Sequence, residues 1–401
     1  MEKTNDKIIR TPKTWMVYLL LSLYAYCLNI PGPITGYLRD EFQMNYTSSS
    51  LHFSAFALGI LMAGLVSGPF IQRMGHWKGM GIGAIGLGIG GLVLSFGGVP
   101  ALTIAGIFLM GLIGTLILAI YPVVLEEEME AGSPVGISEA NMISSIFASL
   151  APLLVGYLAG QMAGWRMAVI AVAVISLALG IWLTLSAARH EEVRIEQPEV
   201  ASAKGRLPKQ YWVYWLALVL GISIEFCTIY WGADFIEKSL GLSKDSATQA
   251  ISLFLIGMIV GRFFGGKLLQ RTSARNILVG AILVGLAGFG LFWTGLTPEL
   301  GLIGLTLMGL GVANLYPTIL ALMMHSAGEL KGLAGARATL ASGTAIFSLP
   351  MILGSLADQT GIKQAFLIVL GLFVLLGVVL IFAAQMQKQD QNIKQENTEK
   401  S

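Results

Sequence analysis

The chain has 401 residues, of which 55% are hydrophobic and 12% are charged, and its formal net charge is +2. Soluble domains carry about twice that share of charged residues, so the composition excludes an ordinary soluble protein and indicates a chain that crosses a membrane many times. The small net charge gives no reason to expect nucleic acid as a partner. The two cysteines, Cys27 and Cys227, fall within apolar segments, and we expect neither a disulfide framework nor a metal site.

Twelve apolar segments are long enough to cross the hydrocarbon layer as helices, which takes about 20 residues each. They lie near 14–36, 50–71, 79–98, 101–124, 141–162, 165–187, 211–235, 248–270, 276–296, 300–324, 338–357 and 363–385. The eleventh is the weakest candidate, and a short Gly-Gly-Val-Pro turn at 97–100 separates the third from the fourth. The pattern predicts an all-α polytopic membrane protein with twelve transmembrane helices.

A long polar stretch at 188–210 separates the sixth segment from the seventh. It is charged, contains proline and has no apolar period, which is typical of a linker. We therefore predict an N-terminal six-helix bundle over 1–187 and a C-terminal six-helix bundle over 211–385. The polar end of the chain, 386–401, is predicted to be a disordered tail.

Lysine and arginine are distributed unequally between alternate loops. Most lie on the side of the N-terminus, and the opposite loops hold only Arg39, Arg166, Lys238, Lys244 and Lys363. Positive residues remain on the cytoplasmic side of membrane proteins. The distribution therefore predicts a multi-pass protein of the cell membrane with the linker and both termini in the cytoplasm.

The two halves of the chain contain similar segments in a single register, offset by 198 residues. SAFALGILMAGLVSGPFIQR at 54–73 aligns with SLFLIGMIVGRFFGGKLLQR at 252–271. Matching pairs include Phe56 and Phe254, Gly59 and Gly257, Arg73 and Arg271, and Pro152 and Pro350. Each copy has an even number of spans, so the copies are parallel repeats, which place a substrate site near the midplane where the halves meet.

One loop resembles a known family motif. GPFIQRMGHWK at 68–78 is similar to the loop between the second and third helices of the major facilitator superfamily, a Gly-x-x-x-Asp-Arg-x-Gly pattern followed by basic residues. Gln72 replaces the acid of that pattern, and Gln270 occupies the matching position in the second copy. The resemblance implies a transporter fold, while the cytoplasmic charge relay that the acid serves in the family is put in doubt.

A second stretch, SLPMILGSLADQTG at 348–361, looks like the Pro-x-x-x-Gly-x-x-Ala-Asp pattern of sugar-permease-like members of that family. The glutamate of the seventh segment is similar to one in those members as well. This resemblance favours symport of a sugar or organic acid.

Glu225 is the main candidate for proton coupling. It lies near mid-membrane, where an ionisable group is expensive and marks a functional site by default. Burial disfavours the charged form of a carboxylate, so such a group is able to load and release a proton. The alternative is a permanently ionised partner of Arg262, which can instead extend along the helix toward the inner surface.

Several polar and aromatic residues within the spans are candidates for lining a substrate cavity. Prolines interrupt the first segment at 29–33, and Tyr-Pro pairs occur in the fourth and tenth, where they are possible hinges. Each candidate also fits a packing role. The candidates are Asn29, Tyr121, Thr228, Trp231, Asn314 and Tyr316.

Charged and amide residues at the predicted cytoplasmic helix ends are candidates for a gate that forms when the site opens outward. We expect Glu139 to meet Arg271 or Lys267, and Arg337 to lie near Gln72. The alternative is that these are solvated charges at helix starts. The full set is Gln72, Arg73, Glu139, Gln270, Arg271 and Arg337.

Together these patterns favour a secondary active transporter that moves a small organic solute by alternating access, coupled to protons through Glu225. We expect a monomer in the lipid bilayer, without a cofactor. A proton-independent facilitator remains an alternative, and symport of a sugar or organic acid and export of an amphiphile remain open. A membrane-embedded enzyme is disfavoured because no converging catalytic residues occur, and a sensor because the tail is short.

Overall fold

The computed structural model describes residues 9–187, 206–269, 271–328 and 330–399. It divides into two compact units: unit 1 comprises Met1–Gln43 with Ala55–Glu196, and unit 2 comprises Met44–Ser54 with Gln197–Ser401. Most of the predicted linker, 188–205, lies outside the described residues. In this division the short segment Met44–Ser54 belongs to unit 2, although it comes from the N-terminal half of the sequence.

The N-terminal half forms seven helices within the described residues. Their bounds are α1 Pro12–Asn29, α2 Pro31–Phe42, α3 Tyr46–Met74, α4 His76–Phe96, α5 Pro100–Met129, α6 Ser133–Ala159 and α7 Arg166–Ala187. In unit 1, α4 packs between α5 and α7, and α1 packs on α5 and α6.

The C-terminal half forms eight helices within the described part of the chain. Their bounds are α8 Lys209–Phe235, α9 Lys244–Leu269, α10 Ala274–Thr294, α11 Pro298–Val312, α12 Leu315–Ser326, α13 Lys331–Thr360, α14 Ile362–Ala365 and α15 Leu367–Glu399. A π-helical turn, Ile236–Leu240, extends α8. In unit 2, α8 is the central helix and packs on α12, α13 and α15, while α11 packs on α9 and α10.

The prediction of twelve transmembrane helices is confirmed. Twelve helical segments in the described residues have the length and apolarity needed to cross a membrane, and each overlaps one predicted span. The first combines α1 and α2 as Pro12–Phe42, and the tenth combines α11 and α12 as Pro298–Ser326.

The helix breaks fall where backbone chemistry allows them. α1 ends at Asn29 and α2 begins at Pro31, as the prolines of this stretch predict. The tenth span breaks at Asn314, and Pro317 lies in the first turn of α12, where its missing N–H costs nothing. By contrast, α5 continues through Pro122 without a break.

The same close helix contact occurs in both halves. Gly111 on α5 packs against the backbone carbonyl of Phe56 on α3, and Gly309 on α11 packs against the carbonyl of Phe254 on α9. A Cβ atom at either glycine would overlap that carbonyl. Both members of one pair lie 198 residues after those of the other, so the internal repeat seen in the sequence is also a repeat of packing.

The predicted disordered tail is corrected by the structure. α15 continues as far as Glu399, through residues predicted to be disordered. The segment is polar but rich in glutamine, lysine and glutamate, which are strong helix formers, so the helix that begins in the twelfth span is able to continue.

Candidate functional site

Glu225 is exceptional in its exposure along the central part of α8. From Ala217 to Gly232, every other residue of this helix is buried, whereas Glu225 is only half-buried. It also lies at the middle of the 32-residue span Lys209–Leu240. A helix that is otherwise buried along this stretch therefore carries one half-buried acidic residue, halfway along its length.

Arg262 on α9 is the charged neighbour of Glu225. Its positive charge acts electrostatically on the Glu225 carboxylate. The Arg262 side chain is exposed, next to the exposed Phe263 and Phe264. The pairing of Glu225 with Arg262 stays a prediction.

Asn314, at the break between α11 and α12, is held against α9. Its Nδ2 donates to the carbonyl of Gly261 over 2.9 Å. Gly265, one turn further along α9, has no Cβ, and the Asn314 amide occupies the space that one would fill. This contact fixes the helix break beside Arg262. Tyr316, two residues later, is 37% exposed.

Thr228 and Trp231, both predicted to line a cavity, are enclosed in this structure. The Thr228 hydroxyl donates to the carbonyl of Ile224 in its own helix over 2.8 Å. The Trp231 side chain is fully buried, and its Nε1 donates to the carbonyl of Pro350 on α13 over 2.7 Å. In this conformation neither side chain has an open face for a solute, and their lining role stays a prediction.

An aromatic cluster surrounds Trp231 within unit 2. Phe53 stacks on Tyr230 with ring centroids 4.2 Å apart and meets Trp231 edge-on at 5.0 Å. Tyr46 also meets Trp231 edge-on, at 5.4 Å. Gly354 on α13 approaches the Trp231 ring so closely that a Cβ would lie 2.9 Å from it. The cluster fastens the start of α3 to α8 and α13.

A carboxylate on α13 completes this attachment. Asp358 accepts hydrogen bonds from the backbone N–H groups of Tyr46 and Thr47, at 2.8 and 2.9 Å, and from the Thr47 hydroxyl at 2.6 Å. Helix N-termini have N–H groups without intrahelical partners, and a negative charge stabilises them. Nothing local in the sequence marks residues more than three hundred positions apart as partners, so this contact was not predicted.

The candidate cavity residues of unit 1 are less accessible than expected. Asn29 is 6% exposed and donates from Nδ2 to the carbonyl of Ala25 over 2.9 Å. Tyr121 is half-buried, and its hydroxyl accepts a 3.3 Å hydrogen bond from Asn141 Nδ2. Their contact with a solute stays a prediction.

Glu139 is bound by partners that the sequence analysis did not identify. Arg10 donates to both carboxylate oxygens, at 2.8 and 2.5 Å, and the Tyr18 hydroxyl donates to one of them at 3.0 Å. The hydrogen bonds and charge of Glu139 raise the pKa of Arg10 above its ordinary value. Glu139 is thus engaged by partners inside unit 1.

The other candidate gate residues lie at helix ends. Gln72 and Arg73 are exposed near the end of α3, and Arg271 is exposed just after α9. The exposed Arg337 receives a hydrogen bond on its backbone carbonyl from Trp215 Nε1 over 2.9 Å. Gln270 lies outside the described residues. The gate stays a prediction.

The family profile of the Major Facilitator Superfamily matches residues 17–339 and 213–400 of this sequence. The chain belongs to the Major Facilitator Superfamily. The resemblance of the 68–78 loop to that family is therefore confirmed. Members of this family and of this fold are transporters, and the polytopic helical architecture agrees with transport across a membrane.

Among curated proteins, the chain is similar to a glucose/galactose transporter of Brucella abortus biovar 1 (strain 9-941). The two are 27% identical over 383 residues, which cover 87% of this chain and 88% of the relative. The alignment therefore includes both six-helix repeats.

Among solved structures, the nucleoside transporter NupG has a TM-score of 0.73 at 14% identity, covering 93% of this chain and 99% of that one. The fucose:proton symporter FucP of E. coli has a TM-score of 0.59 at 16% identity, covering 92% of this chain and 99% of that one. At these identities the likeness is one of fold.

Proposed function

We propose that this protein is a secondary active transporter that carries a small organic solute through the cell membrane by alternating access, with both termini in the cytoplasm. The family membership, the twelve spans and the parallel repeat support this proposal. The excess of lysine and arginine on one side supports the orientation. The protein acts as a monomer.

Proton coupling through Glu225 is the central part of the proposal. The observation that carries it is the partial exposure of Glu225 on a helix stretch that is otherwise buried from Ala217 to Gly232. Intramembrane acids that reach a water-filled space are characteristic of proton relays. The charge on Glu225, set against the nearby Arg262, differs between the protonated and deprotonated states, and that difference is able to bias which conformation is stable.

The solute that we propose is a monosaccharide. The similarity to the Brucella glucose/galactose transporter extends over most of both chains and supports this class. The sugar-permease-like pattern that contains Asp358 points in the same direction. An amphiphile exporter, left open by the sequence, has no comparable support from the relatives described here.

The test uses the full-length protein in proteoliposomes with radiolabelled galactose. Wild-type protein should accumulate the sugar when a pH gradient is imposed, whereas Glu225→Gln should lose accumulation but retain exchange of labelled for unlabelled sugar. Glu237→Gln, at the end of the same span, is the matched control because its carboxylate is paired with neighbouring Lys238.

Full accumulation by Glu225→Gln would remove the coupling role from this residue. Exchange without accumulation by the wild-type protein would identify a facilitator. An absence of both activities with a panel of hexoses, in a protein shown to be folded, would reject the sugar.

A further inference from the structure

A groove of about 400 Å³ opens in unit 2 among α8, α10, α12 and α15. Aliphatic side chains form most of its wall, for example Leu278, Leu283, Leu322 and Ile381. Several of them are exposed, including Leu283 at 62% and Ile381 at 60%. In a chain that spans a membrane, exposed leucine and isoleucine along transmembrane helices lie against lipid, so the groove is accessible to acyl chains.

One end of this groove is basic. Arg275, in the first turn of α10, lines the groove with an exposed guanidinium. Among the described residues, no carboxylate forms an ion pair with it and no side chain hydrogen-bonds to it. Arg275 is also among the residues that the distribution of charges places on the cytoplasmic side.

The groove has the length of one leaflet. Arg275 and Leu283 are eight residues apart on α10, which corresponds to about 12 Å of helix. Half of the hydrocarbon layer is about 15 Å thick. A lipid whose phosphate contacts Arg275 would therefore extend one acyl chain along the apolar wall to nearly the centre of the bilayer.

We propose that this groove is a binding site for an anionic phospholipid of the cytoplasmic leaflet, held by its phosphate at Arg275 and by one acyl chain in the apolar channel. Basic pockets between transmembrane helices on the cytoplasmic side bind anionic head groups. The charge at Arg275 selects the anionic head group, while the wall of α10 and α15 holds the chain.

Two glycines on α15 allow a matched test. A Cβ atom added at Gly377, which lines the groove, would meet no atom within 4 Å, and neither would one at Gly371, which does not line it. Gly377→Leu should therefore place its side chain in the groove, and Gly371→Leu is its control on the same helix. Arg275→Gln removes the charge, and Arg206→Gln, an exposed arginine outside the groove, is its control.

The experiment is native mass spectrometry of the delipidated full-length protein with phosphatidylglycerol or phosphatidylethanolamine of identical acyl chains. Wild-type protein should bind phosphatidylglycerol with about fivefold preference, the factor expected from one basic residue near the membrane surface. Arg275→Gln should lose that preference. Gly377→Leu should bind less of both lipids, and both control variants should behave as wild type. Thermal unfolding verifies that each variant is folded.

If Arg275→Gln and Gly377→Leu both bound phosphatidylglycerol as well as the wild-type protein does, the proposal would be overturned. Equal binding of the two lipids by the wild-type protein would overturn it as well. Inorganic phosphate is added as a competitor, and displacement of the lipid by phosphate at millimolar concentration would show an anion site without an acyl-chain site. Because lipid binding is measured without transport, a failure here is distinct from a failure of the transport proposal.

Discussion

The carboxylate of Asp358 on α13 binds the first turn of α3 through three hydrogen bonds, two of them from Thr47, which donates from both its backbone N–H and its hydroxyl. The first N–H groups of a helix have no partner within the helix, so a carboxylate placed there satisfies donors that would otherwise be exposed to solvent or left unpaired. This contact links helices that belong to different repeats of the sequence.

Asp358→Asn should release the start of α3. An amide oxygen accepts hydrogen bonds less strongly than a carboxylate and loses the favourable charge at the helix N-terminus, so we expect a loss of about 1–2 kcal/mol in stability. Backbone amides of Tyr46 and Thr47 should exchange with deuterium faster, as measured by mass spectrometry.

Thr47→Val is the graded comparison, because it removes the hydroxyl bond and leaves both backbone bonds to Asp358 in place. Its effect should be smaller than that of Asp358→Asn. Thr360→Val serves as a control on α13, since that hydroxyl bonds within its own helix to Leu356. Unchanged exchange at Tyr46 and Thr47 in Asp358→Asn would contradict the role given to this carboxylate.

The charge of Arg262, rather than its shape, should matter for coupling. Arg262→Lys keeps a positive charge near Glu225 and should retain most pH-driven uptake, whereas Arg262→Ala should lose it. Equal, mild effects of both substitutions would favour a side chain that only packs or extends to the surface.

Because the same glycine contact occurs in both halves, Gly111 and Gly309 should be equally sensitive to substitution by a larger residue. Gly111→Ala and Gly309→Ala each place a Cβ against a backbone carbonyl, of Phe56 or Phe254, and should each cost about 1–3 kcal/mol. Thermal unfolding in detergent measures the loss. Gly371→Ala, which meets no atom within 4 Å, should leave the midpoint nearly unchanged. A large difference in stability loss between Gly111→Ala and Gly309→Ala would show that the two equivalent contacts do not contribute equally to stability.

Lysine should not be able to replace Arg10 in its bidentate contact with Glu139. Arg10→Lys cannot bind both carboxylate oxygens as a planar fork, so it should lower the thermal midpoint nearly as much as Glu139→Gln. Both effects should shrink between about 0.05 and 0.5 M salt, because exposed ion pairs are screened.

The pH dependence of this pair follows from the raised pKa of Arg10. While Glu139 is ionised, the contribution of the Arg10 charge is complete below the ordinary arginine pKa and is lost only as pH rises through the higher folded-state pKa. The difference between Arg10→Lys and wild type should therefore persist without decline from neutral pH to about pH 9. A decline within that range would indicate that the pair is not formed in solution.

The sequence was sufficient for the spans and the repeat because both depend on local properties. Apolar length predicts where a helix crosses the membrane, and the prolines at 31 and 33 predicted the break between α1 and α2. Pro122 was less predictable, since a long helix packed on its neighbours tolerates a proline that a short one would not.

The contacts of the candidate site depended on tertiary structure. Glu225 was identified because a carboxylate in an apolar span is anomalous in sequence alone. Trp231 was predicted to contact a solute because a tryptophan ring can stack on one. In the structure, however, α13 and the start of α3 enclose it. The partners of Asp358 and Glu139 lie 311 and 129 residues away in sequence, at distances where no local pattern reports proximity.

The glycine contacts have a practical consequence for spectroscopy. Where the α11 backbone rests directly on the α9 backbone at Gly309, no side chain lies between them to yield, so these two helices cannot slide past one another without breaking the contact. Spin labels on their outward faces should therefore keep a constant separation throughout the transport cycle. Such a pair gives an internal ruler against which the displacement of any other helix can be calibrated.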